Sequence, residues 1–212
     1  MSSFNDFYNI YKSGANKTEE IPHITKSNVQ SYTSSSLKPV KSNKCIIIIP
    51  IYREFITPQE DFNLSNTINL LKDRYDICIL CPNKMKTDWL NEKFKMKLMV
   101  FKVSSFNFTS KESYSRMLER PQFYEPFFPW KYMLIVQPDV WLFNNPTKSL
   151  EYFIDKNPIY VGAPWTKDYA SKIGINDPAS GNGGLSLRDT KRLSNILKNS
   201  IHKNFKLKTV ED

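Results

Sequence analysis

Three stretches of the 212-residue sequence hold residue types that could do chemistry together: "PIYRE" (50–54), "VQPDVWLF" (136–143), and "YVGAPW" (160–165) followed by "SGNGGLSLRDTKRL" (180–193). Asp139 is a carboxylate between the apolar runs "MLIV" and "VWLF", where an unpaired charge is costly. It reads either as an acid that turns the strand, with Pro138 marking an edge or bulge, or as a ligand for Mg²⁺ or Mn²⁺, which take oxygen ligands and substrate phosphates. The last stretch spends three of the chain's six glycines in four positions. Glycines let a ligand approach the main chain closely. Placed just before a helix, they would turn free N–H groups and the positive end of its dipole toward a cleft. Arg188, read in the first turn of that helix, suits a diphosphate or carboxylate, or else a surface ion pair with Asp189 or Asp177. Trp165 is placed to stack on a sugar ring or to cap the core. The stretch matches neither G-x-x-x-x-G-K-[ST] nor G-x-G-x-x-G, and taken alone it is an ordinary loop signal.

The elements that must position these residues alternate along the chain. "KCIIIIP" reads as a strand buried on both faces. A helical stretch through Phe62, Ile68, Leu71 and Tyr75 leads to the strand "DICILCPN", completing one β-α-β unit. The rhythm continues with helix "KTDWLNEKF", strand "KLMVFKV", a helix interrupted near Pro121, and the long strand "KYMLIVQPDVWLF". Helix "NPTKSLEYFID", strand "PIYVGAPW" and helix "LRDTKRLSNILKN" close the series. The expected fold is α/β, a mostly parallel, Rossmann-like sheet with helices on both faces. Ligands of such sheets bind beyond the carboxyl ends of the strands, where Tyr52, Asp139 and the glycines are expected.

Residues 1–43 differ from the rest. Phe4, Phe7, Tyr8 and Tyr11 would form one stripe on a short helix, and the Ser-, Asn- and Lys-rich remainder reads as a flexible linker to a domain over 44–212. Hydrophobic content of 40% and aromatic content of 14% exclude a disordered chain. The net charge of +9 favours anionic partners, but the lysines are scattered and no motif points to specific nucleic-acid binding. Neither a long apolar run nor a secretory signal stands in the sequence, so the expected location is cytoplasmic. Cys78 and Cys81 would face opposite sides of their strand and, like Cys45, read as buried free thiols. His23 and His202 have no ligand pattern around them.

Taken together, "IIIIPIYRE", "MLIVQPDVWLF", "YVGAPW" and "GNGGLSLRDTKRL", in this order, resemble a glycosyltransferase-like family of bacteria and large viruses, catalogued as a domain of unknown function with a GT-A type fold. The resemblance covers about residues 44–212 and implies a nucleotide-sugar donor cradled by Pro50, Ile51, Tyr52 and Arg53. It sets Asp139 where such enzymes carry a D-x-D motif, with Gln137 in the first acid's place, and implies Mn²⁺ or Mg²⁺ at Asp139 with Arg188 toward the phosphates. Gly162, Trp165, Asn182, Gly183, Gly184 and Ser186 would form the loop that meets donor or acceptor sugar. Glu211 and Asp212 resemble the acidic cluster that supplies a catalytic base, with Asp177 in reserve; the domain stops where further elements would normally follow, as if truncated or completed differently. The implied activity is transfer of a sugar to a glycan or to a lipid- or protein-linked acceptor, in the cytoplasm, at the inner face of a membrane, or in a host's cytoplasm for a viral gene. The competing reading is a non-catalytic carbohydrate-binding or scaffold module that kept the sheet and lost the complete acidic motif.

Overall fold

The computed structural model describes residues 37–143, 145–172 and 182–202. In chain order the elements are β1 (Cys45–Pro50), α1 (Pro58–Leu71), β2 (Asp76–Pro82), α2 (Asp88–Phe94), β3 (Met99–Val103), α3 (Lys111–Leu118), α4 (Pro121–Tyr124), β4 (Tyr132–Val136), α5 (Pro146–Asp155), β5 (Tyr160–Ala163), α6 (Lys167–Lys172), β6 (Asn182–Asp189) and α7 (Thr190–His202). The strands form one sheet in the order β3-β2-β1-β4-β6-β5. β3, β2, β1 and β4 run parallel, and β6 is antiparallel to both of its neighbours. This is the expected α/β architecture.

The isoleucine run explains why β1 is central. Ile47 and Ile49 share a core with Leu64, Ile68 and Leu71 of α1 and Leu150 of α5. Ile46 and Ile48 pack on the other face with Met117 of α3, Phe123 and Tyr124 of α4, and Leu197 of α7. Each of these isoleucines is at most 1% exposed, a burial worth about 1.5–3 kcal/mol per side chain. Cys78 and Cys81 fall in the cores of opposite faces, and all three cysteines are free and buried. Burial pushes the Cys45 and Cys78 thiols far up, which leaves them inert.

Local signals set the helix starts nearest the strand ends. Thr57 caps α1 with its side chain accepting from the Glu60 N–H, Glu60 reaches back to the Thr57 N–H, and Pro58 occupies the first turn. Asn145, in the left-handed region at φ 63°, precedes Pro146 at the start of α5.

Four expectations are corrected. The long strand "KYMLIVQPDVWLF" ends at Val136, where Gln137 to Val140 form a turn closed by Val140 N–H on Gln137 C=O at 3.0 Å. Pro138 has no N–H to extend the ladder. The segment "GNGGLSLRD" is not a loop running into a helix: Asn182–Asp189 is strand β6, where Leu185 and Leu187 alternate with Ser186 and Arg188, and α7 begins only at Thr190. Because β6 is antiparallel, its glycines lie at the carboxyl ends of the parallel strands and the start of α7 at the opposite end, so no helix terminus backs the glycines. Finally, residues 37–43, expected as linker, are tied down: Val40 and Lys41 donate their N–H groups to the Asp76 carboxylate, and Asn43 accepts from Lys131 N–H. The aromatic stripe at Phe4–Tyr11 lies outside the described residues. Among the described residues no helix is long and apolar enough to cross a membrane.

Candidate functional site

From β1 the chain builds outward through β2 to β3, then returns to place β4 on the other side of β1. The β1/β4 boundary is therefore a topological switch point, and the crevice beyond its carboxyl ends is where open α/β sheets bind ligands. The chain supplies Pro50–Arg53 there from β1, Gln137–Asp139 from β4, and Asn182–Gly184 from the start of β6.

At the β1 end, Pro50 and Ile51 are core residues; Ile51 is 1% exposed and its N–H donates to Leu80 C=O at 2.8 Å. Only their backbone is positioned for a ligand. Tyr52 is half-exposed and stacks on Phe108 at 6.3 Å, and Phe108 in turn leans on Tyr114 of α3 at 6.0 Å. Arg53 is already engaged: its Nη2 donates to both Glu60 carboxylate oxygens at 2.8 and 2.7 Å, and its guanidinium lies over the Tyr52 ring. Burial alone would raise the Glu60 carboxyl, but hydrogen bonds from the Thr57 backbone and from Arg53 hold it below its ordinary value.

At the β4 end, Asp139 is exposed in the turn rather than buried in a strand, and it makes no ion pair among the described residues. Gln137 donates its N–H to Gly184 C=O at 2.9 Å and lays its side chain over that glycine. A Cβ on Gly184 would meet Gln137 Oε1 at 2.5 Å, and one on Gly183 would meet Arg188 Nη2 at 3.2 Å. Close approach of Gln137 therefore accounts for Gly184, whereas at Gly183 a methyl would press only on the far end of the Arg188 side chain. Asn182 Oδ1 accepts from Gly184 N–H at 2.7 Å and braces the turn.

Arg188 is the largest departure from expectation. It sits within β6 opposite Met133, is 6% exposed, and its side chain runs toward the start of β6. Nε donates to Ser186 Oγ at 3.0 Å, Ser186 Oγ donates to Gly183 C=O at 2.8 Å, and Nη1 donates to the Tyr124 hydroxyl at 2.9 Å. The guanidinium lies 5.4 Å from the Tyr160 ring centroid. No acid pairs with it among the described residues: Asp189 instead binds Arg192, with Nε to Oδ2 at 2.8 Å. The Tyr124 hydroxyl donates to Leu118 C=O at 2.7 Å. Burial raises the Tyr124 hydroxyl and pushes that of Tyr114 up to about 12, with the Arg188 charge pulling both the other way. The buried Tyr114 hydroxyl lies beside Gln137 and Arg188, with the Gln137 side chain as its one hydrogen-bonding neighbour and no partner in good hydrogen-bonding geometry.

Thus Gln137, Asn182, Gly183, Gly184, Ser186 and Arg188 converge, and Gly162 pairs with Ser186 across β5 and β6, next to a bulge at Gly162/Ala163. Trp165 belongs to neither core and stacks on Tyr169 at 4.8 Å. Asp177, Glu211 and Asp212 lie outside the described residues. Sequence reasoning missed Tyr114 and Tyr124; the aromatic density of "SYSRMLERPQFYEPFF" was the one signal, and helical packing accounts for it equally well. A separate cleft of about 520 Å³ lies at the amino end of β4, lined by Lys131, Asn157, Asp189 and Arg192. Its polar groups already satisfy one another, so the switch-point crevice is the better candidate.

Among the described residues no three His, Cys, Asp or Glu side chains converge. Mg²⁺ held mainly by water and substrate phosphates needs only one or two carboxylates, a minimum that exposed Asp139 meets.

A family model described as "Protein of unknown function (DUF5672)" matches residues 95–212. No curated protein matches the sequence. Among solved structures the chain is similar to the mannosyltransferase PcManGT from Pyrobaculum calidifontis in complex with GDP-Man and Mn²⁺, at 12% identity and a TM-score of 0.47, over 91% of this chain and 53% of that one. It is also similar to core-mannan synthase A from Aspergillus fumigatus in its Mn/GDP form, at 12% identity and a TM-score of 0.46, over 88% and 71%. For S. aureus TarS 1–349 the identity is 14% and the TM-score 0.40, over 72% and 49%. The chain spans about half the length of the first and last of these.

Proposed function

The chain belongs to the DUF5672 family of proteins of unknown function, and we propose that it is a GT-A-like glycosyltransferase that moves a sugar from a nucleotide-sugar donor to a hydroxyl of a glycan or of a lipid- or protein-linked acceptor. The observation that carries the reading is the β1/β4 switch point, at whose carboxyl ends lie the Tyr52 end of β1 and the Gln137–Asp139 turn of β4, the latter in contact with the glycines of β6. These segments come from the sequence blocks that resemble glycosyltransferases.

Sugar transfer passes through a transition state with oxocarbenium character while a nucleoside diphosphate departs, so the site must stabilise negative charge and activate a hydroxyl. Tyr52 offers a half-exposed ring for the nucleoside or sugar. Asp139 is the residue that would hold Mg²⁺ or Mn²⁺, and the ion would neutralise charge on the leaving phosphates. Asp177, Glu211 and Asp212 are the proposed candidates for the base that takes the acceptor's proton.

The test is a thermal-shift panel of UDP-, GDP-, dTDP- and CMP-sugars with and without Mn²⁺. A transferase is stabilised by at least one donor, and less so in Asp139→Asn. If no nucleotide stabilises the protein under any metal condition, the reading fails. Measurable donor hydrolysis would exclude the alternative of an inert carbohydrate-binding module.

A further inference from the structure

A guanidinium stays charged in a protein and carries five N–H donors. In Arg188 two of these atoms, Nε and Nη1, make one hydrogen bond each, both to neutral hydroxyls, and Nη2 makes none among the described residues. Buried charge without a counter-charge is among the costlier arrangements in a fold. Ser186, Tyr124 and the Tyr160 ring solvate the guanidinium without neutralising it. Beside it the buried Tyr114 hydroxyl reaches only the Gln137 side chain and has no partner in good hydrogen-bonding geometry. Two donor groups with spare capacity thus converge where the described residues supply no anion, and the approach to Nη2 passes Gly183, which has no side chain and is only half-buried.

We infer that Arg188 and Tyr114, approached over Gly183, bind a carboxylate of the sugar that this protein recognises, so that its donor or acceptor is an acidic sugar. The charge count selects the ligand. Arg188 is the one buried cation among the described residues, and one buried positive charge balances one negative charge. A diphosphate would bring at least one more against the same single cation. The paired Nη1 and Nη2 edge also matches the two oxygens of a carboxylate. Naming a sugar as the carrier rests on the glycosyltransferase reading; the anion site itself does not.

The experiment titrates the full chain with glucuronate and galacturonate, with glucose and galactose, and with inorganic pyrophosphate, at constant ionic strength, following thermal stability and binding heat. At least one uronate should stabilise the protein where its neutral parent does not. Tyr114→Phe should fold nearly as well as the parent, because it removes a buried hydroxyl that has no partner in good hydrogen-bonding geometry, and should weaken the uronate about tenfold. Arg188→Lys, which keeps the charge and loses the fork, should weaken it further. Uronates that bind no better than their parents, or equally well to Tyr114→Phe, would overturn the inference. So would pyrophosphate binding that Arg188→Lys abolishes, since the site would then belong to donor phosphates. Nucleotide-sugar stabilisation without uronate binding defeats this inference alone; uronate binding without any nucleotide effect keeps the anion site and defeats the transferase reading.

Discussion

The two ends of the sheet treat their polar groups in opposite ways. At the amino end, Asp76 accepts from Trp130 Nε1 at 3.0 Å and from the Val40 N–H at 3.0 Å, and Arg192 is spread over Asp189, Asn157 and Pro158. At the carboxyl end, among the described residues, Arg188 has no acid, the Tyr114 hydroxyl has no partner in good hydrogen-bonding geometry, and Asp139 makes no ion pair. Arg188 and Arg192 are four residues apart in sequence, yet one is saturated and the other is not. A fold that completes its structural networks at one end and leaves them open at the other marks the open end as the place where something else completes them.

The largest expected effect falls on the saturated end. Asp76→Ala strands the Trp130 indole N–H and two backbone N–H groups around a residue that is 4% exposed, and should cost about 3 kcal/mol in urea unfolding. Ligand affinity of the folded fraction should not change; a loss of affinity as large as the loss of stability would dissolve the distinction between the ends. Next comes the arginine pair. Arg192→Met leaves the buried Asp189 carboxylate without its cation and should lower Tm by several degrees. Arg188→Met removes a buried uncompensated charge and should leave Tm level or raise it, while abolishing uronate binding. Equal losses of Tm would mean that Arg188 is structural.

Much of the fold was legible because its signals were local. Four isoleucines in a row can only be buried on both faces, and the capping of α1 is written in "TPQE". The site was less legible because its signals were not local. "LRDTKRL" carries leucines and charges at spacings that suit a helix, and three glycines weaken any strand propensity before it. Only pairing with β4 and β5 shows that Leu185 to Arg188 alternate between faces. Arg188 was expected in the first turn of a helix and stands instead inside β6, while Gln137 follows the last residue of β4. Tyr124 meets Arg188 from 64 residues away, a contact that no pattern along the chain encodes. Asp139 was expected in a buried strand because its neighbours are apolar, but Pro138 ends the ladder first and the carboxylate emerges into solvent.

A smaller effect sharpens the open end. Gly183→Ala sets a methyl 3.2 Å from Arg188 Nη2, which a flexible side chain accommodates by a slight shift. Stability should fall by less than about 1 kcal/mol, while uronate affinity falls several-fold because the methyl narrows the approach. Binding heats for Gly183→Ala and Tyr114→Phe would separate a blocked approach from a lost donor. Unchanged affinity in Gly183→Ala would move the entrance elsewhere on the cluster.

The smallest effect concerns the one arginine at the open end that behaves like those at the closed end. Arg53 is held by Glu60, whose carboxyl lies below its ordinary value in the folded state. A depressed carboxyl stabilises the fold at pH above its unfolded value and loses that contribution as pH falls through the folded one. Glu60→Gln should therefore cost less than about 1 kcal/mol at pH 7, since the pair is partly exposed, and nothing once the pH is low enough to protonate the parent's Glu60. The same substitution loosens Arg53 at the mouth of the crevice. If Arg53 were the cation meant for the donor, Glu60→Gln would tighten nucleotide-sugar binding by freeing it; unchanged binding leaves Arg53 as the brace between β1 and α1, and Arg188 as the cation kept in reserve for a ligand.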